Sequence, residues 1–197
     1  PHPADRRGYR QRYLAFALFD QRTGLLANSL AGIDTDRLVA GVRAVLANQD
    51  GRARSAVAGV FDELDYQALR QLLPVIYRAT VEQAPSGVMF SDGVRMAGLE
   101  LLAKHHIAEG LPLCVQLVEP DRWGLDNRVS RCMKALRGYG RSAREMLPAL
   151  RELEEQFAAN QGDSEASEYL ETVRQTIASI EKTTRSPRVR SLDLPSC

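Results

Sequence analysis

The sequence predicts an all-α fold of stacked antiparallel helix pairs, with about nine helices. Three observations support this prediction. Apolar residues recur at i, i+3, i+4 and i+7 within short segments. Glycine and proline interrupt these segments at short intervals, and no segment shows the apolar-polar alternation of a half-buried strand. A chain of 197 residues is long enough for such helices to bury a continuous apolar core.

Six helices are predicted in the first half of the chain, up to about residue 102. The first extends to about Phe19, and a second short one carries Leu25, Leu26 and Leu30. Asp34 and Asp65 each precede a longer amphipathic segment, where a side-chain oxygen can accept a hydrogen bond from a first-turn amide. Between these two segments another helix runs through residues 57–64, and a further one covers residues 94–102 after the break at residues 85–87.

In the second half, helix signals alternate with turns and end in a tail. Ser142 and Glu145 have the spacing of a capping box, which predicts a helix beginning there. The last helix carries apolar residues between Tyr169 and Ile180. We therefore predict an N-terminal arm at residues 1–7, a single helical domain at residues 8–184 and an extended tail at residues 185–197.

A Leu-Pro pair recurs along the chain at a nearly constant interval. Its prolines are Pro74, Pro112 and Pro148, separated by 38 and 36 residues. A period of this length is typical of helix-pair repeats, because one helical hairpin cannot bury its own apolar face and must stack on the next. The interval therefore predicts a repeated helical unit.

The segments 73–80, 111–119 and 147–154 resemble the second helices of HEAT-type repeats. The clearest unit joins the helix at residues 129–136, a Gly138-Tyr139-Gly140 turn and the segment Met146-Leu147-Pro148-Ala149-Leu150. The resemblance covers roughly residues 35–183 and implies a short HEAT-like α-α superhelix that binds protein partners on its concave face, and in some members nucleic acid. A weaker resemblance, at residues 90–104 and 119–124, is to an uncharacterised bacterial family with a helical C-terminal region, which implies no known activity.

Composition and motifs narrow the class of function. The formal net charge of +1 does not favour nonspecific attraction to nucleic acid or anionic lipid, and no apolar run is long enough to cross a membrane. Residues 145–181 are nevertheless acidic, with nine Asp or Glu against two Arg, which could orient a partner or simply form solvated helix faces. The sequence contains no phosphate-binding glycine loop and no nucleophile elbow. We expect a soluble protein without cofactor and without catalytic residues, in a compartment that the sequence does not indicate.

Two longer connections, residues 84–92 and 119–127, are candidate functional loops, because binding residues are often carried on loops held by a rigid scaffold. The first hypothesis is a noncatalytic protein-interaction or scaffold module, part of a larger protein, that presents these loops to a protein partner or a sister domain. It predicts exposed apolar or aromatic residues near the loops.

The second hypothesis is a helical nucleic-acid-binding or processing module, similar to the DNA glycosylases among HEAT-like proteins. Its candidate binding residues are Asp121, Arg122, Trp123, Arg128 and Arg131. An aromatic beside arginines can stack bases and neutralise phosphates, although basic residues three apart spiral around a helix instead of lining one face. Trp123 could anchor a partner or fill a gap between repeats, and we favour the packing role because large aromatics are usually buried.

His105, His106 and Glu109 are weak candidates for metal ligands. His105 and Glu109 have the i, i+4 spacing that lets two ligands share one helical face. The full spacing of a specific zinc motif is missing, and basic residues near a helix C-terminus are also favoured by the helix dipole. We therefore predict no metal site. Cys114 and Cys132 are expected to be small buried residues, since unpaired cysteine is often buried.

Overall fold

The computed structural model of the chain describes residues 3–19, 24–25, 30, 32–159 and 164–192. The all-α prediction is confirmed: this part of the chain forms nine α-helices and three short 3-10 helices, and it contains two isolated β-bridges but no strand. The predicted short helix with Leu25, Leu26 and Leu30 falls mostly outside the described residues. Within the described residues, every helix is too short or too polar to cross a membrane.

The contacts divide the chain into two compact units, where the sequence predicted one domain over residues 8–184. Within the described residues, unit 1 extends to residue 101 and unit 2 extends from residue 102 to residue 192. The helices up to the boundary are α1 (Pro3–Phe19), α2 (Thr35–Leu46), α3 (Gly51–Val57), α4 (Tyr66–Val81) and α5 (Asp92–Lys104), with 3-10 helices at Ala58–Glu63 and Val88–Phe90. Helix α1 begins inside the arm predicted at residues 1–7.

Unit 2 contains the remaining helices. They are α6 (Gly110–Gln116), α7 (Leu125–Gly138), α8 (Leu147–Ala159) and α9 (Ser164–Lys182), with a 3-10 helix at Gly140–Met146. The capping box at Ser142 is therefore a wrong prediction, since the α-helix begins five residues later at Leu147. Its residues lie in the tighter 3-10 turn instead.

The N-caps predicted at Asp34 and Asp65 are confirmed. The Asp34 carboxylate accepts from the backbone N–H of Arg37 at 3.0 Å, and the Asp65 carboxylate accepts from that of Ala68 at 2.7 Å. The start of α5 differs, because the Oγ of Ser55 accepts from the N–H of Val94 at 3.1 Å. A residue 39 positions away in the sequence thus satisfies an amide in the first turn of α5.

In unit 1, α1 contacts α3, and α2 contacts both α3 and α4. The amphipathic faces of these helices enclose one apolar cluster, whose fully buried members include Val42, Val57, Val60, Leu72 and Ile76. Burial of such side chains stabilises a fold by roughly 1.5 to 3 kcal/mol each. The apolar period read from the sequence therefore corresponds to the buried faces.

In unit 2, α7 contacts α6 and α9, and α8 contacts α9. The buried side chains include Cys132, Met133, Leu136, Leu150 and Val173. Cys114 and Cys132 are buried thiols, as expected. The Leu-Pro pairs occupy different positions: Pro74 lies inside α4, whereas Pro112 and Pro148 lie in the first turns of α6 and α8, where proline costs no helical hydrogen bond.

The chain after α9 is non-helical and lies along unit 2. The Arg190 N–H donates to the carbonyl of His106 at 2.9 Å, and the Ala108 N–H donates to the carbonyl of Arg190 at 2.8 Å. The Leu192 N–H donates to both carboxylate oxygens of Glu109 at 3.0 Å. Backbone pairing and one carboxylate therefore fix the end of unit 2.

Candidate functional site

The loop between α6 and α7 changes direction through two residues with positive φ. Glu119 has φ 46°, and Gly124, which precedes α7, has φ 82°. Glycine adopts this conformation freely, but a residue with a side chain does so at a cost of about 1 to 2 kcal/mol. Such conformations persist where surrounding contacts impose them, and they concentrate at functional sites.

Arg128 supplies those contacts. Its Nε donates to the carbonyl of Val118 at 3.0 Å, and its Nη1 donates to that of Trp123 at 2.5 Å. Its Nη2 donates to the carbonyls of Glu119 and Arg122. A guanidinium presents five donors in a rigid plane, so one side chain can hold several loop carbonyls at once.

Arg128 is not placed where it could contact a ligand. Its side chain is fully buried, and its donors are directed at the backbone of the loop. A buried guanidinium is tolerated because these hydrogen bonds replace its hydration. Arg128 therefore positions the loop from inside unit 2, and its prediction as a ligand-contacting residue is wrong.

Trp123 lies at the exposed side of the same loop. The packing role that the sequence favoured is wrong, because 79% of the residue's surface is accessible. Its carbonyl is held by Arg128, while its indole extends into solvent. A large exposed aromatic on a fixed backbone is typical of a binding anchor, since little conformational entropy is lost when a partner covers it.

Arg122 precedes this tryptophan and forms an ion pair within the loop. Its Nη1 lies 2.6 Å from Oε2 of Glu119, and both side chains are about one quarter exposed, at 22% and 25%. A pair with this much exposure contributes at most about 1 kcal/mol to stability. Its chief consequence for the site is that a carboxylate already compensates the charge of Arg122.

A pocket of about 790 Å³ opens beside Trp123 within unit 2. This volume lies within the range of about 300 to 1,000 Å³ that is usual for ligand pockets. The described lining residues come from the loop, from the start of α7, from the end of α8 and from the start of α9: Pro120, Asp121, Arg122, Trp123, Gly124, Leu125, Asp126, Phe157, Ala159, Glu165, Ala166 and Tyr169.

Two further aromatics form part of the pocket wall. The rings of Phe157 and Tyr169 lie 5.7 Å apart between centroids at an angle of 51°. The Tyr169 hydroxyl donates to Oε2 of Glu165 at 3.3 Å. Both residues are largely buried, so their edges reach the pocket while their bodies belong to the core.

The described lining residues carry more negative than positive groups. Asp121, Asp126 and Glu165 are carboxylates, and Arg122 is the one basic residue among the described lining residues. Asp121 and Asp126 are exposed, and within the described part of the chain no ion pair engages either one. The described lining residues therefore offer carboxylates, aromatic groups and one guanidinium to a ligand.

The structure thus brings together some of the predicted site residues and separates others. Asp121, Arg122 and Trp123 line one pocket, whereas Arg131 lies half-buried on α7 outside its lining. Phe157 and Tyr169 were not predicted as site residues, because their apolar spacing indicated helix cores and nothing in the sequence related them to Trp123. Only the folded loop brings these three aromatics to the same pocket.

The weak metal candidates are engaged in other contacts. Glu109 accepts from the N–H of Leu192, and the ring of His106 packs edge-on against Tyr139 at 6.3 Å. Within the residues that the structure describes, no group of three His, Cys, Asp or Glu side chains is arranged to hold a metal ion. His105, His106 and Glu109 are therefore not arranged around a common metal position.

The other predicted loop, residues 84–92, lies in unit 1. Two backbone hydrogen bonds of 2.9 Å attach Ser86 to Gln49 and Gly51, and the Arg52 guanidinium lies 4.0 Å from the ring centroid of Phe90. Met89 is also exposed. The expectation of exposed apolar residues near the candidate loops is met here and at Trp123.

No family model, no curated protein and no solved structure matches the chain.

Proposed function

We propose that the chain is a noncatalytic protein-interaction module and that a partner protein binds at the pocket beside Trp123. The observation that carries this proposal is the exposed indole of Trp123 on a loop held by the buried Arg128. Tryptophan and tyrosine dominate binding energy at protein interfaces, and a loop fixed before binding loses little entropy on association.

The HEAT-like superhelix predicted from the sequence is part of this proposal. Within unit 1, α1 contacts α3 and α2 contacts α4, and within unit 2, α7 contacts α9. Contacts between helices two positions apart are what stacked helix pairs produce. Such stacks commonly serve as scaffolds that present loops, which agrees with the placement of the pocket at the α6–α7 loop.

The lining of the pocket favours a protein over a nucleic acid. Nucleic-acid affinity depends on several phosphates being met by basic side chains together. Here Asp121, Asp126 and Glu165 line the pocket, and the basic Arg122 already pairs with Glu119. Phosphates approaching this pocket would meet carboxylates, so we retain nucleic acid only as an outcome that the experiment can reveal.

The test is capture from a lysate of the native organism, with half of each sample treated with nuclease. Wild type is compared with Trp123→Ala and with Tyr66→Ala, since Tyr66 is an exposed aromatic of unit 1 at 69% accessibility. We expect a discrete protein that survives nuclease, is retained by Tyr66→Ala and is lost from Trp123→Ala. Equal capture by all three would contradict the site, and recovery of nucleic acid alone would favour the other hypothesis.

A further inference from the structure

We propose that the pocket beside Trp123 takes an arginine-bearing basic segment of the partner, whose guanidinium stacks on Trp123 and pairs with Asp121 and Asp126. This inference rests on the proposed function, because it names the chemistry of the partner at the same site. It is argued from the charge of the lining, from its aromatic groups and from the size of the pocket.

The charge of the lining selects a cation. Asp121 and Asp126 are exposed and form no ion pair within the described residues, so both carboxylates remain available to a ligand. Arg122 does not offset them, because Glu119 lies 2.6 Å from its guanidinium. A basic side chain entering the pocket therefore gains attraction from two carboxylates without displacing an existing partner from them.

The aromatic groups select a cation with a flat, weakly hydrated surface. A guanidinium above the face of tryptophan is stabilised by about 0.5 to 2 kcal/mol, and tryptophan is the strongest partner among the aromatic residues. The molecule already contains such a contact in unit 1, where the Arg52 guanidinium lies 4.0 Å from the ring centroid of Phe90. The exposed indole of Trp123 offers a comparable surface to an incoming residue.

Arginine fits this combination better than lysine. Its planar guanidinium can stack on an indole and still present two parallel N–H donors to a carboxylate, whereas an ammonium is compact and strongly hydrated. Asp121 and Asp126 lie on either side of Trp123 in the sequence and line the same pocket. A stacked guanidinium would thus have carboxylate acceptors at its edge.

The size of the pocket and its surroundings indicate a segment rather than a small free cation. A pocket of about 790 Å³ is wide enough for several side chains of an extended peptide. The helices that supply Phe157 and Tyr169 also carry exposed acids, among them Glu155 and Glu168. Basic residues flanking the bound arginine would be attracted to these helices.

The experiment uses Trp123 as its own reporter, because it is the only tryptophan of the chain. Its fluorescence is followed while the full chain is titrated with an acetylated, amidated pentapeptide containing two arginines separated by glycine. Matched peptides replace both arginines with lysine or with citrulline, which has the shape of arginine but no charge. We expect a saturable change with the arginine peptide, and binding about tenfold weaker for each replacement.

Variants then locate the binding. The double variant Asp121→Asn, Asp126→Asn removes both charges while retaining the size of the side chains, and we expect it to bind the arginine peptide at least about tenfold more weakly. Glu152→Gln removes an exposed carboxylate of α8 that does not line the pocket, and its affinity should match the wild type. Thermal unfolding of each variant verifies that the fold is retained.

Several outcomes would overturn the inference. Equal affinity for arginine and citrulline would remove the role of charge, and equal affinity for arginine and lysine would remove the role of the guanidinium. Absence of a saturable change in the millimolar range would exclude the arginine segment as ligand. If Trp123-dependent capture of a protein persists in that case, the proposed function stands and only the partner chemistry assigned here is wrong.

Discussion

The guanidinium of Arg128 donates a hydrogen bond of 2.5 Å to the carbonyl oxygen of Trp123. One residue is fully buried and the other is the most exposed aromatic of unit 2, at 79%. This bond connects the interior of the unit to the candidate binding surface. The stability of unit 2 and the shape of the pocket therefore depend on the same side chain.

Substitution of Arg128 should destabilise the protein and release the loop. Arg128→Met retains much of the side-chain length but leaves the carbonyls of Val118, Glu119 and Trp123 without their donor, which should lower the free energy of unfolding by about 3 kcal/mol. Urea denaturation measures this loss, and limited proteolysis measures release of the loop.

Lys134→Met is the matched control for this change, because Lys134 is exposed on the same helix. Its free energy of unfolding should remain within about 0.5 kcal/mol of the wild type. Equal stability of the two variants would show that the bonds of Arg128 do not hold the loop.

Gly140 gives a second prediction, for the attachment of the chain that follows α9. Its φ is 57°, and a Cβ at this position would lie against the carbonyl oxygen of Arg185. Gly140→Ala should therefore cost more than about 2 kcal/mol, since the left-handed conformation alone costs about 1 to 2 kcal/mol for a residue with a side chain.

The neighbouring Gly138 provides the control. It lies in α7, and apart from its chain neighbours and the adjacent helix backbone no described atom lies within 4 Å of the position that its Cβ would take. Gly138→Ala should leave stability unchanged or raise it by up to about 1 kcal/mol, because alanine favours helix. Thermal or urea unfolding compares the two variants, and a similar response of both would contradict the contact with Arg185.

Stability should fall at alkaline pH because of Cys114. Burial, and then the charge of Cys132, raise the pKa of the Cys114 thiol well above its ordinary value of 9.0. As the pH rises, the Cys114 thiol of the unfolded chain ionises before that of the folded protein. The stability that the neutral buried thiol contributes is therefore complete below pH 9 and is lost as the pH rises from there toward the pKa of the thiol in the folded protein. Burial also raises the pKa of Tyr139 above its ordinary value of 10.0, so its ionisation likewise lowers stability at alkaline pH.

The measurement is urea unfolding of wild type and Cys114→Ala at about pH 8 and about pH 10. Each pH unit above the ordinary pKa should cost the wild type about 1.4 kcal/mol through this thiol. The alkaline loss should be smaller by about that amount in Cys114→Ala. An equal loss in both proteins would show that the thiol does not contribute to the pH dependence.

The features that the sequence predicted correctly depend on neighbours close in the chain. Asp34 caps α2 through the N–H of Arg37, three residues later, and Asp65 caps α4 in the same way. Helical periodicity also depends on residues close in the chain, so the sequence could predict which segments are helical and which of their faces are buried. The sequence could not predict hydrogen bonds between a helix N-terminal amide and a residue far away in the chain, such as the bond from the Val94 N–H to the Ser55 hydroxyl oxygen.

The candidate site could be predicted only in part for the same reason. A tryptophan in a polar loop can be recognised in the sequence. The sequence does not show, however, that the charged Arg128 is buried beneath the loop while the apolar Trp123 is exposed. Phe157 and Tyr169 lie more than 30 residues further along the chain and reach the pocket only through the packing of α8 and α9. The apolar pattern of the sequence predicts that both residues are buried, but it does not show that they also form part of a pocket wall.

A final prediction concerns the core of unit 2, where the Leu-Pro segment beginning α8 contains two leucines in different surroundings. Leu150 is fully buried and Leu147 is half-buried. Leu150→Ala should lower the free energy of unfolding by about 2 to 5 kcal/mol, because it removes apolar contacts and leaves a cavity. Leu147→Ala, at the leucine of the Leu-Pro pair itself, should lower it by less than about half as much, because this site is partly open to water and can relax. Urea unfolding of both variants at one pH makes the comparison. A larger loss at Leu147 than at Leu150 would mean that the repeat pattern, and not the burial described for α8, identifies the core.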